Sequence, residues 1–322
     1  MTKVNRILIG MLLMGAFFSG AIPEARGNSF VYSDGVFTMI KLPYGNAQAV
    51  SAEGINDREE IAGFLSIDRF HPCGFFYYGI FCGFLDLGGT FHTFNFPGAW
   101  DTQAFGINGR GQIVGDYGGP SGGGGFLDSG GVFTSINAPG AYYTEANGIN
   151  DRAEVVGFYF SSAGEYGFLD SGGTLTTITP PGAAWSRAYG INDSGQIVGD
   201  FAYSAYGPYQ GFLDDGGVFT PISVPGATVT WANGINDSGQ IVGFYAGGDC
   251  PLNEVCGFLD SAGVFTTLNF PGAPWTIANG INDSGQIVGI YGTTPEPGTL
   301  ALLGAGMIGL AGTLRRRNGR HS

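Results

Sequence analysis

The sequence predicts an all-β fold made of a repeated unit, and two observations support this prediction. The 35 residues 211–245 recur six times along the chain with small changes. Within each copy, Val, Ile, Phe, Tyr and Thr form short runs that are separated by Gly, Asp, Asn and Ser. The first set suits a half-buried pleated strand and the second suits a tight turn. Because no window shows a helical period of useful length, strands joined by turns are expected throughout the repeats.

The spacing of the copies is regular in one half of the unit and variable in the other. Each copy opens with a Phe: Phe30, Phe84, Phe126, Phe168, Phe212 and Phe258. Each later carries the Ile of an Ile-Asn pair: Ile55, Ile107, Ile149, Ile191, Ile235 and Ile281. The interval from Phe to Ile is 25 residues in the first copy and 23 in the others, whereas the interval to the next Phe varies from 19 to 29. A period in the forties with one elastic connection is typical of repeat architectures.

Each copy contains four runs that suit short strands. Four antiparallel strands per unit of this length predict a β-propeller with six four-stranded blades, spanning residues 28–294. The 60 glycines suit the tight turns and close sheet contacts of such a ring. An open β-solenoid is the alternative, but it needs capping units with polar outer faces. Neither end copy has that character, so the propeller is favoured.

Residues 1–27 have the order of features of a secretory signal peptide. Lys3 and Arg6 precede an apolar run from Ile7 to Phe18, and Ser19, Gly20 and Ala21 follow it. A charged start, an apolar middle and small residues at the exit are what such a segment needs. A transmembrane anchor is the alternative, but the apolar run is short for a span. We therefore expect an exported chain.

The region between the two ends is strongly acidic. The chain has 13 Lys and Arg and 26 Asp and Glu. Without residues 1–27 and 295–322, 6 basic and 24 acidic residues remain, a formal charge of −18. Nucleic acids and anionic bilayer surfaces require a basic footprint. The composition therefore predicts no nucleic-acid partner, and it fits an extracellular protein or one that attracts cationic partners.

The four cysteines fall in the two copies with the longest elastic connections. Cys82 and Cys256 each directly precede a Gly-Phe-Leu-Asp sequence, and Cys73 and Cys250 lie shortly before them. In an exported chain this pairing predicts two local disulfides, Cys73–Cys82 and Cys250–Cys256. A zinc site is the alternative. The spacings are irregular and His71 is the only nearby histidine, so the disulfides are favoured.

The C-terminal residues 295–322 resemble the PEP-CTERM sorting domain of exported bacterial proteins. The resemblance rests on the Pro295-Glu296-Pro297 element, an apolar stretch from Leu300 to Leu314, and the cluster Arg315, Arg316 and Arg317. It implies a hydrophobic sorting helix that tethers the chain transiently in the membrane. It also implies processing by an exosortase-type protease and release to the cell surface or the extracellular space, commonly alongside exopolysaccharide production. The physics agrees, because about 15 apolar residues are marginal for a permanent span and the arginines favour the cytoplasmic side. An ordinary short tail anchor is the alternative.

The repeats resemble the HAF-type extracellular repeats. Each unit of that family carries a short aromatic-led strand, a Gly-rich turn and an Ile-Asn-x-x-Gly-x-x-x-Gly element, which here runs from Ile191 to Gly199. The second copy departs from the pattern at Gly109 and Arg110, and the first and third replace the inner Gly by Glu59 and Ala153. This resemblance implies no catalytic residues.

No catalytic, cofactor or metal site is predicted. The chain has neither a Gly-x-Ser-x-Gly elbow nor a His-Glu-x-x-His motif. Acids recur at one position beside a Gly-rich turn in five copies: Asp86, Asp128, Asp170, Asp214 and Asp260. We interpret them as turn residues that bond the backbone; calcium binding is the alternative. A pair of catalytic carboxylates, as in glycoside hydrolases, stays open because nothing in the sequence singles out a pair.

The aromatic residues supply the binding hypothesis. All four tryptophans precede the Gly-Ile-Asn segment of their copies, and the third copy has tyrosines there: Trp100, Tyr142, Trp185, Trp231 and Trp275. If copies are blades, these side chains surround one end of the ring. They either pack between blades or form platforms on which sugar rings stack. The binding hypothesis takes the second interpretation.

The sequence therefore predicts a non-catalytic, exported cell-surface or extracellular-matrix protein that interacts with exopolysaccharide or matrix proteins. The alternative is a secreted β-propeller polysaccharide lyase or glycoside hydrolase. An enzyme concentrates unusual polar residues in one or two copies, whereas a binding ring spreads similar residues over many.

Overall fold

The computed structural model describes residues 28–41, 47–67, 81–120, 122–205, 207–251 and 254–292. These residues form 24 strands and, within those ranges, no helix. The strands make six separate four-stranded antiparallel sheets. The prediction of a six-bladed β-propeller is confirmed. The predicted signal peptide, sorting segment and boundary at residue 294 lie outside the described residues.

Each sheet is one blade, and we number the blades I to VI from the one that begins at residue 47. The innermost strands, in that order, are β3 (Ala47–Ile55), β7 (Asp101–Ile107), β11 (Ala141–Ile149), β15 (Trp185–Ile191), β19 (Ala227–Ile235) and β23 (Thr276–Ile281). The second strands are β4 (Glu60–Ile67), β8 (Ile113–Gly119), β12 (Val155–Ser161), β16 (Ile197–Ala202), β20 (Ile241–Gly247) and β24 (Ile287–Tyr291).

The outer half of each blade has the same order. The third strands are β5 (Phe81–Leu87), β9 (Gly122–Asp128), β13 (Gly164–Ser171), β17 (Gln210–Asp215), β21 (Cys256–Ser261) and β1 (Asn28–Ser33). The outermost strands are β6 (Phe91–Phe94), β10 (Phe133–Ile136), β14 (Thr174–Ile178), β18 (Val218–Ile222), β22 (Val264–Leu268) and β2 (Val36–Met39). Each innermost strand contacts the innermost strand of the next blade, and β23 contacts β3, so the ring is closed.

The blades are offset from the sequence copies by half a unit. The first two strands of a copy form the outer half of one blade, and its last two strands form the inner half of the next. Blade VI therefore joins both ends of the ring, because β1 pairs with β24 and places Phe30 opposite Gly289. The expectation that one copy forms one blade is thus wrong in phase, although the count of six is right.

The core is built on a contact between an aromatic ring and a glycine. The Phe that opens each copy is fully buried in all six copies. In blade III, Phe168 lies against Gly157, where a Cβ atom would be 1.9 Å from the Glu145 carbonyl oxygen and 2.8 Å from the Phe168 ring. The equivalent glycines of the other blades are equally crowded. A side chain at this position would clash with the ring. The Gly that follows Val or Ala in each second strand is therefore required for packing of the core.

Antiparallel pairing gives the propeller two different ends. The turns between the innermost and second strands, and between the third and outermost strands, lie at one end, which we call the turn face. The elastic connections and the Pro-Gly segments before the innermost strands lie at the other, the loop face. The turn acids predicted from the sequence behave as expected, because Asp86, Asp128, Asp170, Asp214 and Asp260 accept hydrogen bonds from turn glycines.

Candidate functional site

The turn face is held by a closed ring of asparagines. In every blade the Asn of the Ile-Asn pair donates through Nδ2 to the backbone oxygen of its equivalent in the next blade, at 3.0–3.2 Å. Its Oδ1 accepts the backbone N–H four residues later. The six residues are Asn56, Asn108, Asn150, Asn192, Asn236 and Asn282, and all are buried. Every blade contributes equally, so this ring is scaffold.

A second series of hydrogen bonds involves the residue directly after each Asn. The backbone N–H at this position donates to the Asp carboxylate of the next blade in five of six cases, at 2.7–2.8 Å. Gly109 occupies the position in blade II and has no carboxylate to accept. The departure from the repeat pattern that the sequence shows at Gly109 and Arg110 is therefore a gap in this series.

At the loop face, the equivalent positions of the innermost strands carry different residues in different blades. The position directly before the buried Ala of these strands holds Gln103, Glu145, Arg187 and Trp231 in blades II to V. Glu145 is opposite Phe158, Arg187 is opposite Asp200, and Gln103 is opposite Asp116. Three neighbouring blades, II to IV, thus bring charged and polar groups together where the scaffold does not require them.

Tyr143 joins two carboxyl groups from neighbouring blades. Its hydroxyl oxygen lies 2.6 Å from Asp116 Oδ2 and 2.6 Å from Glu145 Oε2. A hydroxyl has one proton to donate, so one of the two carboxyl groups must be protonated and donate to Tyr143. Burial and the charge of Glu145 raise the pKa of Asp116 well above its usual range, and burial raises the pKa of Glu145. Both carboxyl groups therefore keep a proton to higher pH than exposed carboxyl groups do.

Arg187 is the cation at the centre of this region. It makes an ion pair with Glu165 of blade III, and both side chains are mostly buried. Its guanidinium carbon lies 5.0 Å from the centroid of Phe158 and 5.5 Å from that of Trp185, within range of cation–π attraction. Burial opposes its charge, but Tyr189, Glu165 and Asp200 hold the pKa of Arg187 well above its usual value.

Asp200 is fully buried and neither of its carboxylate oxygens has a hydrogen-bond partner. Burial raises its pKa to about 7, against the opposing attraction of Arg187. Tyr189 is close enough to favour the carboxylate but does not meet hydrogen-bond geometry. Asp116 Oδ1 and Trp231 Nε1 are likewise buried and without a partner. Buried polar atoms are normally satisfied, so four such atoms in neighbouring blades indicate a site.

We call Asp116, Tyr143, Glu145, Glu165, Arg187 and Asp200 the loop-end cluster. Glu53 of blade I adds a further acid: burial raises its pKa to about 7, with a smaller contribution from the charge of Glu145. Its carboxylate also accepts a hydrogen bond from Ser51. Of these carboxyl groups, those of Glu145, Glu165 and Asp200 interact electrostatically with the Arg187 guanidinium.

The predicted aromatic residues lie at three depths along the innermost strands. Trp100 and Tyr142 are 51% and 66% exposed and hold equivalent positions where β7 and β11 begin. Trp185 and Trp275 hold the next position inward, equivalent to Tyr143, and are partly buried. Trp231 is one step deeper and packs against Phe244, with ring centroids 4.4 Å apart.

Two of these tryptophans belong to a continuous aromatic row. The ring centroid of Tyr209 is 5.1 Å from that of Trp185 and 5.3 Å from that of Trp231. Trp275 lies elsewhere, against Gly292 in blade VI. The structure therefore brings Trp185 and Trp231 to the loop-end cluster, places Trp100 and Tyr142 at the exposed rim, and separates Trp275 from both.

The loop-end acids were missed by the sequence prediction, although a signal existed. The residue after the crowded Gly in the second strand is Phe, Phe, Phe and Ile in four copies, but Asp116 and Asp200 in the other two. A charge in place of a core aromatic residue at one repeat position is informative. The prediction instead followed the acids that recur in most copies, which are turn residues.

The Cys250–Cys256 disulfide is present as predicted, with a Cα–Cα distance of 5.8 Å. Cys82 is disulfide-bonded and buried. Cys73, its predicted partner, lies outside the described residues. The described ranges contain no group of three or more His, Cys, Asp or Glu side chains arranged to hold a metal ion.

Comparisons with known proteins add a cellular address and a fold. Residues 293–317 match the PEP-CTERM protein-sorting motif, which marks the chain as exported; such motifs are generally processed by exosortase. Within the described ranges, no helix is long and apolar enough to span a membrane. No curated protein sequence matches the chain.

Several solved structures are similar to the propeller. The putative TolB from Agrobacterium tumefaciens has a TM-score of 0.59 at 11% identity, with 84% of this chain and 99% of that chain covered. Virginiamycin B lyase from Staphylococcus aureus has a TM-score of 0.41 at 11% identity, covering 83% and 88%. A lectin from Aleuria aurantia has a TM-score of 0.37 at 11% identity, also covering 83% and 88%. At this identity, the first similarity shows the fold alone.

Proposed function

We propose that the protein is a non-catalytic, exported cell-surface or matrix component that binds exopolysaccharide at its loop face. The observation that carries this proposal is the row of aromatic residues at the start of three consecutive innermost strands. Trp100 directly precedes β7, Tyr142 is the second residue of β11 and Trp185 begins β15, and the first two are more than half exposed. Exposed aromatic faces beside polar groups are what a carbohydrate site needs.

The sorting motif supports the same location. An exported chain that is tethered and then released reaches the polysaccharides outside the cell, and the likeness to HAF-type extracellular repeats points the same way. The partner for processing is an exosortase-type protease, and the membrane contact is transient. The acidic composition of residues 28–294 favours no nucleic-acid partner.

Affinity at a single aromatic contact is small. Stacking on one exposed ring contributes about 1 kcal/mol, so two rim residues together contribute about 2 kcal/mol, roughly 30-fold in Kd. Binding to a polymer multiplies weak contacts through effective concentration. Tight retention on a polysaccharide together with weak binding of a short oligosaccharide is therefore expected.

The test is affinity electrophoresis or column retention of the purified ring on a panel of neutral, acidic and amino polysaccharides. The Trp100→Ala, Tyr142→Ala double variant should bind at least tenfold more weakly. The matched control is Val132→Ala, Val218→Ala, which removes similarly exposed side chains from outer-blade positions (both 68% exposed) and should bind as the parent does. Unchanged binding in the aromatic double variant, or no binding to any polysaccharide, overturns the proposal.

A secreted polysaccharide lyase or glycoside hydrolase is the second candidate. It is favoured by the shared proton of Asp116, Tyr143 and Glu145, since carboxyl groups with raised pKa values suit general acid–base catalysis. Release of reducing ends or unsaturated sugars from the bound polysaccharide, lost in Glu145→Gln, would establish this candidate in place of the first.

A further inference from the structure

The loop-end cluster carries more negative charge than its own cation neutralises. Arg187 pairs with Glu165, and one proton is shared between Asp116 and Glu145 through Tyr143. Asp200 adds an uncompensated negative charge as pH rises through its raised pKa of about 7. Uncompensated buried charge is costly, so the cluster favours an incoming cation.

Two acids of the cluster have buried acceptor atoms without hydrogen-bond partners. Asp200 is fully buried, lies opposite Arg187 in the strand pairing, and has two carboxylate oxygens without partners. Asp116 Oδ1 is also buried without a partner, although its other oxygen accepts from Tyr143. Groups that need hydrogen-bond donors select a ligand that brings them.

Three features favour an organic ammonium over a metal ion. Arg187 stands among the acids, where a divalent cation would meet twice the repulsion that a singly charged ammonium group meets. The described ranges contain no set of three ligands with metal geometry. The rings of Trp185 and Phe158 border the cluster, and the ring of Tyr143 is part of it. Aromatic faces attract ammonium groups.

We propose that the loop-end cluster binds the protonated amino group of an amino sugar, while the rim aromatics Trp100 and Tyr142 hold neighbouring sugar rings. This inference rests on the glycan-binding function proposed above and names its ligand class: a polysaccharide with free, non-acetylated amino groups. The ammonium takes the place of the shared proton, so binding releases about one proton from the pair formed by Asp116 and Glu145.

Other titratable groups lie around Asp116 and Glu145 and contribute to the charge of the same region. They are Glu53 on β3, Asp101 at the start of β7, Glu165 on β13, Tyr189 on β15 and Asp200 on β16. Burial raises the pKa of Asp101 and of Tyr189. An ammonium group favours the ionised forms of Glu53 and Asp200, whose pKa values burial raises to about 7, so amine binding should strengthen as pH rises toward about 7.

The experiment is isothermal titration calorimetry of the purified ring with a β-1,4-linked glucosamine trimer and with its fully N-acetylated counterpart, at pH 7. The amino trimer should bind at least tenfold more tightly. Titrations in two buffers of different ionisation enthalpy should report release of about one proton for the amino trimer and none for the acetylated one. Asp116→Asn and Glu145→Gln should each weaken the amino trimer at least tenfold and leave the acetylated trimer unchanged.

Controls separate this site from general attraction to an acidic protein. Asp237→Asn removes one charge at the opposite, turn face, where the side chain accepts a bond from Asp193, and should leave amino-trimer binding within twofold. Spermidine, with a similar charge but no sugar ring, should bind at least tenfold more weakly than the amino trimer. Equal binding of spermidine means charge attraction only and overturns the proposal.

The outcomes distinguish this inference from the function on which it rests. If both trimers bind equally, or if Asp116→Asn and Glu145→Gln change nothing, the amino-sugar inference is wrong and glycan binding stands. If neither trimer nor any polysaccharide binds, both are wrong. Proton release is measured on the unaltered protein, so the inference is tested even if a variant fails to fold.

Discussion

The two ends of the innermost strands differ in how strictly they repeat. At the turn face, six asparagines make the same hydrogen bonds in every blade, and the ring closes on itself. At the loop face, the equivalent positions carry Gln103, Glu145, Arg187 and Trp231. A residue that repeats in all blades is needed by the fold of each blade. A residue that differs between blades is not required by the fold of each blade. The buried polar groups without partners lie near such positions.

The largest loss of stability is expected when a side chain is added at a crowded glycine of the repeated core. In Gly289→Ala, the added Cβ would lie 2.1 Å from the Ile277 carbonyl oxygen and 2.9 Å from the Phe30 ring. We expect a loss of about 4 kcal/mol in unfolding free energy, or failure to fold, because the strand pair cannot separate without losing its hydrogen bonds. Chemical denaturation measures the loss.

The matched control is Gly88→Ala in an exposed turn, where no atom lies within 4 Å and only the positive φ of 62° opposes a side chain. It should cost about 1 kcal/mol. Similar losses at the two glycines would show that backbone conformation, rather than the Phe–Gly contact, sets the requirement.

Removing a charge from the loop-end cluster should have the opposite effect and increase the unfolding free energy, because burial of these charges opposes folding. Burial raises the pKa of Asp200 to about 7, so the folded state holds a proton that the unfolded chain has released at lower pH. The stability that this proton supplies is complete below about pH 4 and is lost as pH rises to about 7. Asp200→Asn should change stability by about 1 kcal/mol or less at pH 4.5 and increase it at pH 8, on the order of 4 kcal/mol.

Denaturation of both proteins across pH 4 to 8 provides the measurement. The unfolding free energy of the parent should fall across this range. In the variant it should fall less steeply because Asp200 is gone, but it should still fall, because Glu53 titrates in the same window. A variant that is less stable than the parent at pH 8 would mean that Asp200 supports Arg187 more than it suffers from burial.

The asparagine ring should be sensitive, but less so than the crowded glycine. Asn236→Ala removes the bond to the Asn282 oxygen and leaves the Gln240 N–H without its acceptor. A buried group left unsatisfied costs about 1–3 kcal/mol, so we expect about 2 kcal/mol. The neighbouring Asp237→Ala, at an exposed position of the same face, should cost less than about 1 kcal/mol. Equal losses would contradict the view that the buried ring holds the blades together.

The smallest effect is expected at the loop-face disulfide. Cys250 and Cys256 close a short loop between β20 and β21. Replacing both by Ala should cost about 1–2 kcal/mol, because a short loop constrains the unfolded chain little. Proteolysis near residues 250–256 should speed up, while the cooperative unfolding of the ring is retained. Loss of cooperative unfolding would show that this loop is part of the scaffold.

The number of blades could be predicted from the sequence, whereas their phase could not. Periodicity counts strands per unit, and the constant interval from Phe84 to Ile107 and its equivalents identifies the rigid part. A period has no intrinsic first strand, however. The phase is set by the pairing of β1 with β24, a contact between the two ends of the ring that no local pattern encodes.

The candidate site was predictable in part for the same reason. The aromatic positions could be located because they share a place in the repeat. The contact of Tyr143 with Asp116 joins residues 27 positions apart in different blades, and it depends on the stagger of neighbouring sheets. The substitution of Asp for Phe in two copies was visible, but its meaning required knowing that this position faces the loop end.

The half-unit offset between copies and blades also determines how a truncated chain would behave. Since every blade takes two strands from one copy and two from the next, a chain that ends before β23 leaves β1 without its neighbour. The unpaired edge of β1 then offers a row of free N–H and C=O groups. A second truncated molecule can present the same edge, so such chains should associate in a concentration-dependent way. Only a chain that reaches Tyr291 completes blade VI internally, and the sorting motif begins two residues later, at residue 293.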